Sequence, residues 1–115
     1  MEKIEMVYLP VNDLQQALAY YRDALGWTEL WREGDSTAAI GPSDGEVSVM
    51  LDVSTTGSEK SGPILTVDDV PRWIDERRER LSVAKEPSEI PGGWWASVTD
   101  PSGNITYIID QSTAD

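Results

Sequence analysis

The residues able to do chemistry in this chain of 115 are few, because it contains no His and no Cys. That removes the imidazole base that works near neutral pH, the thiol nucleophile, the zinc-thiolate site and the disulfide. Carboxylates, phenols and indoles remain. Asp52 is the carboxylate that strand alternation turns to the same side as Ser48 and Met50. There it suits an anchor for a ligand cation or, if desolvated, a general base with raised pKa; the alternative is a solvated carboxylate at a strand end. Tyr8 and Tyr107 either orient a ligand through their hydroxyls or are ordinary half-buried strand residues. Trp94 and Trp95 are adjacent on an extended stretch, so their side chains must point to opposite faces, one to a ligand surface and the other to a helix layer or a subunit contact. Five Trp with no Phe exceeds what packing needs, and indole faces stack on flat or cationic compounds. Trp27 and Trp31 are further candidates for a ligand surface or an interface, whereas Trp73 falls on an apolar helical stripe and belongs to the core.

The elements that must position these groups can be read from periodicity. Ile4 to Val11 alternates, with Val7, Leu9 and Val11 on one side and Met6, Tyr8 and Pro10 on the other. A helix comes next, capped by Asp13 with Gln16 three residues later, carrying Leu14, Ala17, Leu18, Tyr21 and Leu25 on one stripe and closed by Gly26. Strands are expected over Trp27 to Arg32, Thr37 to Ile40 and Val47 to Val53, with Gly34-Asp35, Gly41-Pro42 and Asp44-Gly45 as turns. After a polar connection the pattern restarts: a strand over Pro63 to Val67, then a helix capped by Asp69 with Pro71 in its first turn and Val70, Trp73, Ile74, Arg77 and Leu81 along its stripe. A short extended piece near Val83, then Gly93 to Thr99 and Asn104 to Asp110, close the chain, the last two joined by the turn Asp100-Pro101-Ser102-Gly103.

Each half therefore reads βαβββ, and the halves are in register. Leu9, Val11, Asp13, Leu14 and Leu25 have counterparts 56 positions on, at Leu65, Val67, Asp69, Val70 and Leu81; Val49 and Met50 match Thr106 and Tyr107 at 57. The expectation is a single α+β domain over residues 1–115, with two βαβββ modules in tandem (1–54 and 62–115, connection 55–61) forming a curved mixed sheet around a cleft. Alternation then lines the cleft with Met6, Tyr8, Pro10, Ser48, Met50 and Asp52 from the first module, and Gly62, Ile64, Thr66, Ile105, Tyr107 and Ile109 from the second. Val47, Val49, Leu51 and Val53 face the helices. With Trp31 and one of Trp94 and Trp95 added, the lining is apolar and aromatic with few polar groups, as in small-molecule pockets.

Net charge adds exclusions. At −12 the surface repels phosphate backbones and anionic headgroups, so neither nucleic acid nor membrane is an expected partner. No apolar run approaches the roughly 20 residues that span a bilayer. The start Met1-Glu2-Lys3-Ile4-Glu5 lacks signal character, and the expected location is cytoplasmic. Arg72 to Arg80 carries four arginines but pairs Arg72 and Arg80 with Glu76 at i,i+4, a salt-bridged helix face. There is no phosphate loop, dinucleotide fingerprint, nucleophile elbow or paired-carboxylate motif, so no cofactor is expected and no catalytic residue is assigned.

Three stretches carry a family resemblance: Val7-Tyr8-Leu9-Pro10-Val11-Asn12-Asp13-Leu14 running into Ala19-Tyr20-Tyr21-Arg22-Asp23-Ala24-Leu25-Gly26, then Leu65-Thr66-Val67-Asp68-Asp69-Val70, then Thr99-Asp100-Pro101-Ser102-Gly103-Asn104. With the βαβββ repeat, the chain resembles the vicinal oxygen chelate superfamily of glyoxalases, extradiol dioxygenases and fosfomycin- and bleomycin-resistance proteins. That resemblance implies metal ligands, usually His and Glu, at positions that here hold Met6, Met50, Gly62 and Tyr107. Thioethers are soft, Gly has no side chain and an ordinary phenol is protonated near pH 7, so metal-dependent lyase, dioxygenase and transferase activities are not expected. The resemblance also implies a homodimer in which modules of different subunits complete each cleft. The expected function is a metal-free protein sequestering an aromatic or cationic small molecule, the alternative a metal-independent lyase or isomerase using Asp52, Tyr8 or Tyr107 as acid-base groups.

Overall fold

Parallel pairing of the first strand with the last organises each half of the chain in the computed structural model, which describes residues 2–42 and 45–114. The class is α+β. Two compact units are present, one of residues 5–61 and one of residues 2–4 and 62–114.

In the first unit β1 (Lys3–Val11) leads into α1 (Leu14–Leu18), followed by β2 (Thr28–Glu33), β3 (Thr37–Gly41) and β4 (Ser48–Val53). The strands lie in the order β2-β3-β4-β1, with β1 parallel to β4 and the other neighbours antiparallel. Asp13 caps α1 by accepting the Gln16 N–H at 3.0 Å. The core lies between sheet and helix: Leu14, Leu18, Ala38, Ile40 and Leu51 are buried, with Leu9, Val11, Val49 and Val53 packed on them. Two expectations change here. After Leu18 the helix widens to a π turn over Ala19–Ala24, whose extra residue per turn rotates the positions beyond it, so Leu25 leaves the apolar stripe and is exposed. Val47 precedes β4, is not held by its ladder, and is exposed rather than packed on the helix. Trp27 also precedes its strand and packs in the helix-side core against Tyr21, ring centroids 5.3 Å apart. Asp44 of the expected Asp44-Gly45 turn lies outside the described residues.

The second unit repeats the plan with β5 (Gly62–Thr66), α2 (Val70–Arg77), β6 (Ser82–Ile90), β7 (Gly93–Thr99) and β8 (Ile105–Ile109), in the order β5-β8-β7-β6. Asp69 caps α2 through the Arg72 N–H at 3.1 Å. Val67, Val70, Ile74, Ala96, Val98 and Ile108 form its core. β6 is nine residues long where only a short piece was expected. Its Pro87 would break a central strand, but among the described residues β6 is paired on one side only, by β7, with register shifts at Val83/Lys85 and Lys85/Ser88. In the turn before β8, Asp100 accepts the Ser102 and Asn104 N–H groups at 2.8 Å each, and Gly103 takes φ +86°.

Candidate functional site

Cα partners in neighbouring strands share a face, so the pairing registers state which side chains lie side by side. In the first unit one row across the face opposite the helix is Trp31, Ala39, Met50, Tyr8, and the next is Glu33, Thr37, Asp52, Pro10. Met6 and Ser48 form the start of a third. Asp52 is the hub: its Oδ2 accepts the Tyr8 hydroxyl at 2.8 Å and its Oδ1 accepts the Thr37 hydroxyl at 2.6 Å. Both donors are neutral hydroxyls, one on each oxygen, so the side chain is held in one orientation. Tyr8 is buried, Asp52, Ser48 and Met50 are half-buried, and Trp31 is 41% exposed. The basic groups near β2 lie on the opposite side, where Glu29 bridges Arg32 at 2.9 Å and Arg22 at 3.1 Å. Those hydrogen bonds, from Arg32 first, hold the Glu29 carboxyl below the usual range.

Thr37 and Glu33 were not among the sequence candidates. Alternation along Thr37–Gly41 would have found Thr37, but Ala38, Ala39 and Ile40 are all apolar and all buried, leaving no contrast from which to read a face.

In the second unit the corresponding face carries Thr66, Ile109 and Trp95 in one row and Ile64, Tyr107 and Ser97 in the next. Trp95 and Tyr107 are diagonal neighbours and stack, centroids 5.0 Å apart at 27°. Ile64 and Tyr107 are buried. Trp94 goes to the other side: it packs on the helix-side core and so leaves the set of ligand-facing candidates. Its backbone N–H is held by Asp110, a fully buried carboxylate whose Oδ1 accepts the Trp94 and Ser112 N–H groups and the Ser112 hydroxyl, and whose Oδ2 accepts the Val70 N–H at 2.6 Å. Burial pulls the Asp110 carboxyl upward, but these four hydrogen bonds outweigh it and hold the group below its ordinary value. A Cβ at Gly93 would stand 2.1 Å from the Asp110 carbonyl oxygen, so only glycine allows this approach.

A groove of about 300 Å³ at the start of α2 involves none of the sequence candidates. Trp73 and Arg77 wall it, the guanidinium 4.4 Å over the indole and 3.3 Å from Glu2.

The family model of the Glyoxalase/Bleomycin resistance protein/Dioxygenase superfamily matches residues 3–106. The chain belongs to this superfamily. No curated protein matches. Among solved structures, a hypothetical protein of Bacillus halodurans C-125 is 15% identical with TM-score 0.69, covering 95% of this chain and 94% of its own. Methylmalonyl-CoA epimerase of Mycobacterium tuberculosis is 15% identical with TM-score 0.65, at coverages of 93% and 86%. A superfamily member of Vibrio splendidus 12B01 is 16% identical with TM-score 0.60, at 96% and 99%. At these identities the likeness is one of fold.

The residues at the superfamily's metal positions do not fit a divalent ion. Met6 and Met50 offer thioethers, and Tyr107 is buried in its stack with Trp95. At Gly62 a Cβ would meet the Ile105 carbonyl oxygen at 2.3 Å, so no ligating side chain can stand there without moving the backbone. Among the described residues, no group of three His, Cys, Asp or Glu side chains is arranged to hold a metal, and no helix is long and apolar enough to cross a membrane.

Proposed function

We propose that the protein binds a small aromatic or cationic compound without metal, on the faces of its sheets opposite the helices. The observation that carries this reading is Asp52, oriented by the Tyr8 and Thr37 hydroxyls and left with its charge for a ligand cation. Trp31, exposed in the row beside it, supplies an indole face for stacking. The second unit carries Ile64, Thr66, Trp95 and Tyr107 on its own corresponding face. The working form in this reading is a cytoplasmic homodimer, in which doubling the net charge of −12 concentrates cations around the site.

The test is a thermal-shift screen over metals, cationic glycopeptides, planar aromatics and small carbonyl compounds, followed by titration of the hits into the wild type and Asp52→Asn. A cationic hit should quench Trp fluorescence and lose about 1–3 kcal/mol of affinity in the variant, the scale of a charged hydrogen bond. Hits that are all anionic, or affinity for a cation unchanged in Asp52→Asn, overturn the reading.

The hydrogen bond from Tyr8 to Asp52 favours a second reading, a metal-independent lyase or isomerase in which the pair moves a proton. Turnover lost in Asp52→Asn while binding persists selects it.

A further inference from the structure

Guanidinium forks already hold two carboxylates of this chain. In the first unit Arg32 donates from Nε to Glu29 Oε2 and from Nη2 to Glu29 Oε1, at 2.9 Å each. In the second, Arg78 donates from Nη1 to Glu86 Oε2 at 2.8 Å and from Nη2 to Glu86 Oε1 at 3.0 Å. Each carboxylate oxygen thus takes one N–H of the fork, an arrangement both directional and strong. Asp52 has different partners. Its oxygens each accept one hydroxyl, Tyr8 on Oδ2 and Thr37 on Oδ1, and among the described residues no arginine or lysine bonds it. Those hydroxyls come from β1 and β3, the strands on either side of β4, so they brace the carboxylate from its flanks. An ionised carboxylate offers about four lone-pair sites, two on each oxygen. One on each oxygen therefore remains, a matched pair of acceptors on a side chain that its two hydroxyl bonds keep from turning.

We propose that the cation Asp52 selects is planar with two adjacent N–H donors, an amidinium or guanidinium carried on an aromatic body. This rests on the reading of Asp52 as a ligand anchor and narrows it to one class of cation. Two donors side by side meet both remaining acceptors at once, as Arg32 does on Glu29. An ammonium carries its donors on one tetrahedral nitrogen, so a straight bond to one oxygen is made at the expense of the other. A quaternary ammonium has no N–H to donate and is held instead by a cage of aromatic faces. On this face of the first unit the exposed indole is Trp31 alone, which suits stacking of one flat group rather than a cage. The Tyr8 and Thr37 hydroxyls set the plane of the acceptors before a ligand arrives, so binding does not have to order the carboxylate.

Isothermal titration calorimetry of the intact chain at pH 7 and low salt is the test, with benzamidine, phenylguanidine, benzylamine and benzyltrimethylammonium, each one positive charge on one aromatic ring. Benzamidine and phenylguanidine should bind about tenfold more tightly than the other two, the effect of a second charge-assisted hydrogen bond. Asp52→Asn replaces one acceptor oxygen with an NH2 donor and should erase that preference. Thr37→Val keeps the carboxylate but frees it to turn, and should cost benzamidine about threefold more affinity than it costs benzylamine. Circular dichroism checks the fold of each variant, and Thr37→Val decides the matter if Asp52→Asn does not fold. Equal affinity for all four cations, lost in Asp52→Asn, overturns the fork and leaves the broader cation reading standing. Equal losses for benzamidine and benzylamine in folded Thr37→Val overturn the fork in the same way. No binding of any of the four, or binding unchanged by Asp52→Asn, overturns both.

Discussion

Two carboxylates of the same type do opposite work here because their surroundings differ. Asp52 is half-buried and meets two hydroxyls, one on each oxygen, which orient it. Asp110 is fully buried and meets four donors, which consume its acceptor capacity in joining the ends of β7 and β8 to the start of α2. Tyr8→Phe and Thr37→Val should each weaken binding of a cation by about 1 kcal/mol, less than Asp52→Asn, because each removes one neutral hydrogen bond that steadies the carboxylate. Isothermal titration of the three variants with one cationic ligand checks the order. Asp110→Asn keeps an acceptor for Trp94 and Ser112 but turns an amide N–H toward the Val70 N–H. It should cost about 1–3 kcal/mol in urea unfolding. Alternation alone turns Asp52 to the sheet face opposite the helix. The holding of Asp110 was not readable, because its donors come from Val70, 40 positions away, and from Trp94, 16 away.

Elements reproduce the sequence reading where local signals agree. Asp13 and Asp69 both cap as their spacing requires, and the Asp100 turn closes with the glycine in the left-handed region. Asp69→Ala should lower stability by about 1 kcal/mol, the usual worth of such a cap, measurable by thermal unfolding. Readings departed where an element's end or neighbours decide. A single π turn moved Leu25 off its stripe, and lone pairing on one edge let β6 run through Pro87. The adjacent indoles are expected from the two-residue period, but their assignment to faces required the ladder. Trp94→Ala should destabilise the fold by about 2 kcal/mol, below the loss for a fully buried indole. Trp95→Ala should change stability less and remove the stack on Tyr107, so a bound aromatic should lose affinity and quench less fluorescence in that variant alone.

At the scale of the molecule, charge sets the response to pH. The carboxyls of Asp110, Asp100, Glu29 and Glu86 are all held below their ordinary values, and Glu59, bonded by the Ser54 and Thr56 hydroxyls, is brought to about 2. A carboxyl lowered by folding stabilises the fold above its unfolded pKa, near 4, and that contribution is lost as pH falls through the folded value. The melting temperature should therefore drop as pH is taken from about 4 toward about 2. Asp110→Asn should drop less over the same window, which scanning calorimetry across that range would show. The sequence by itself determined the βαβββ repeat, the caps of both helices, the Asp100 turn and the superfamily, because periodicity and capping are local and are duplicated at a spacing of 56. Only the tertiary structure decided that Thr37 and Tyr8 share Asp52 and that Trp94 belongs to the core while Trp95 stacks on Tyr107. Each of these depends on which strand lies beside which and in what register, and that is set by hydrogen bonds between residues far apart in the chain.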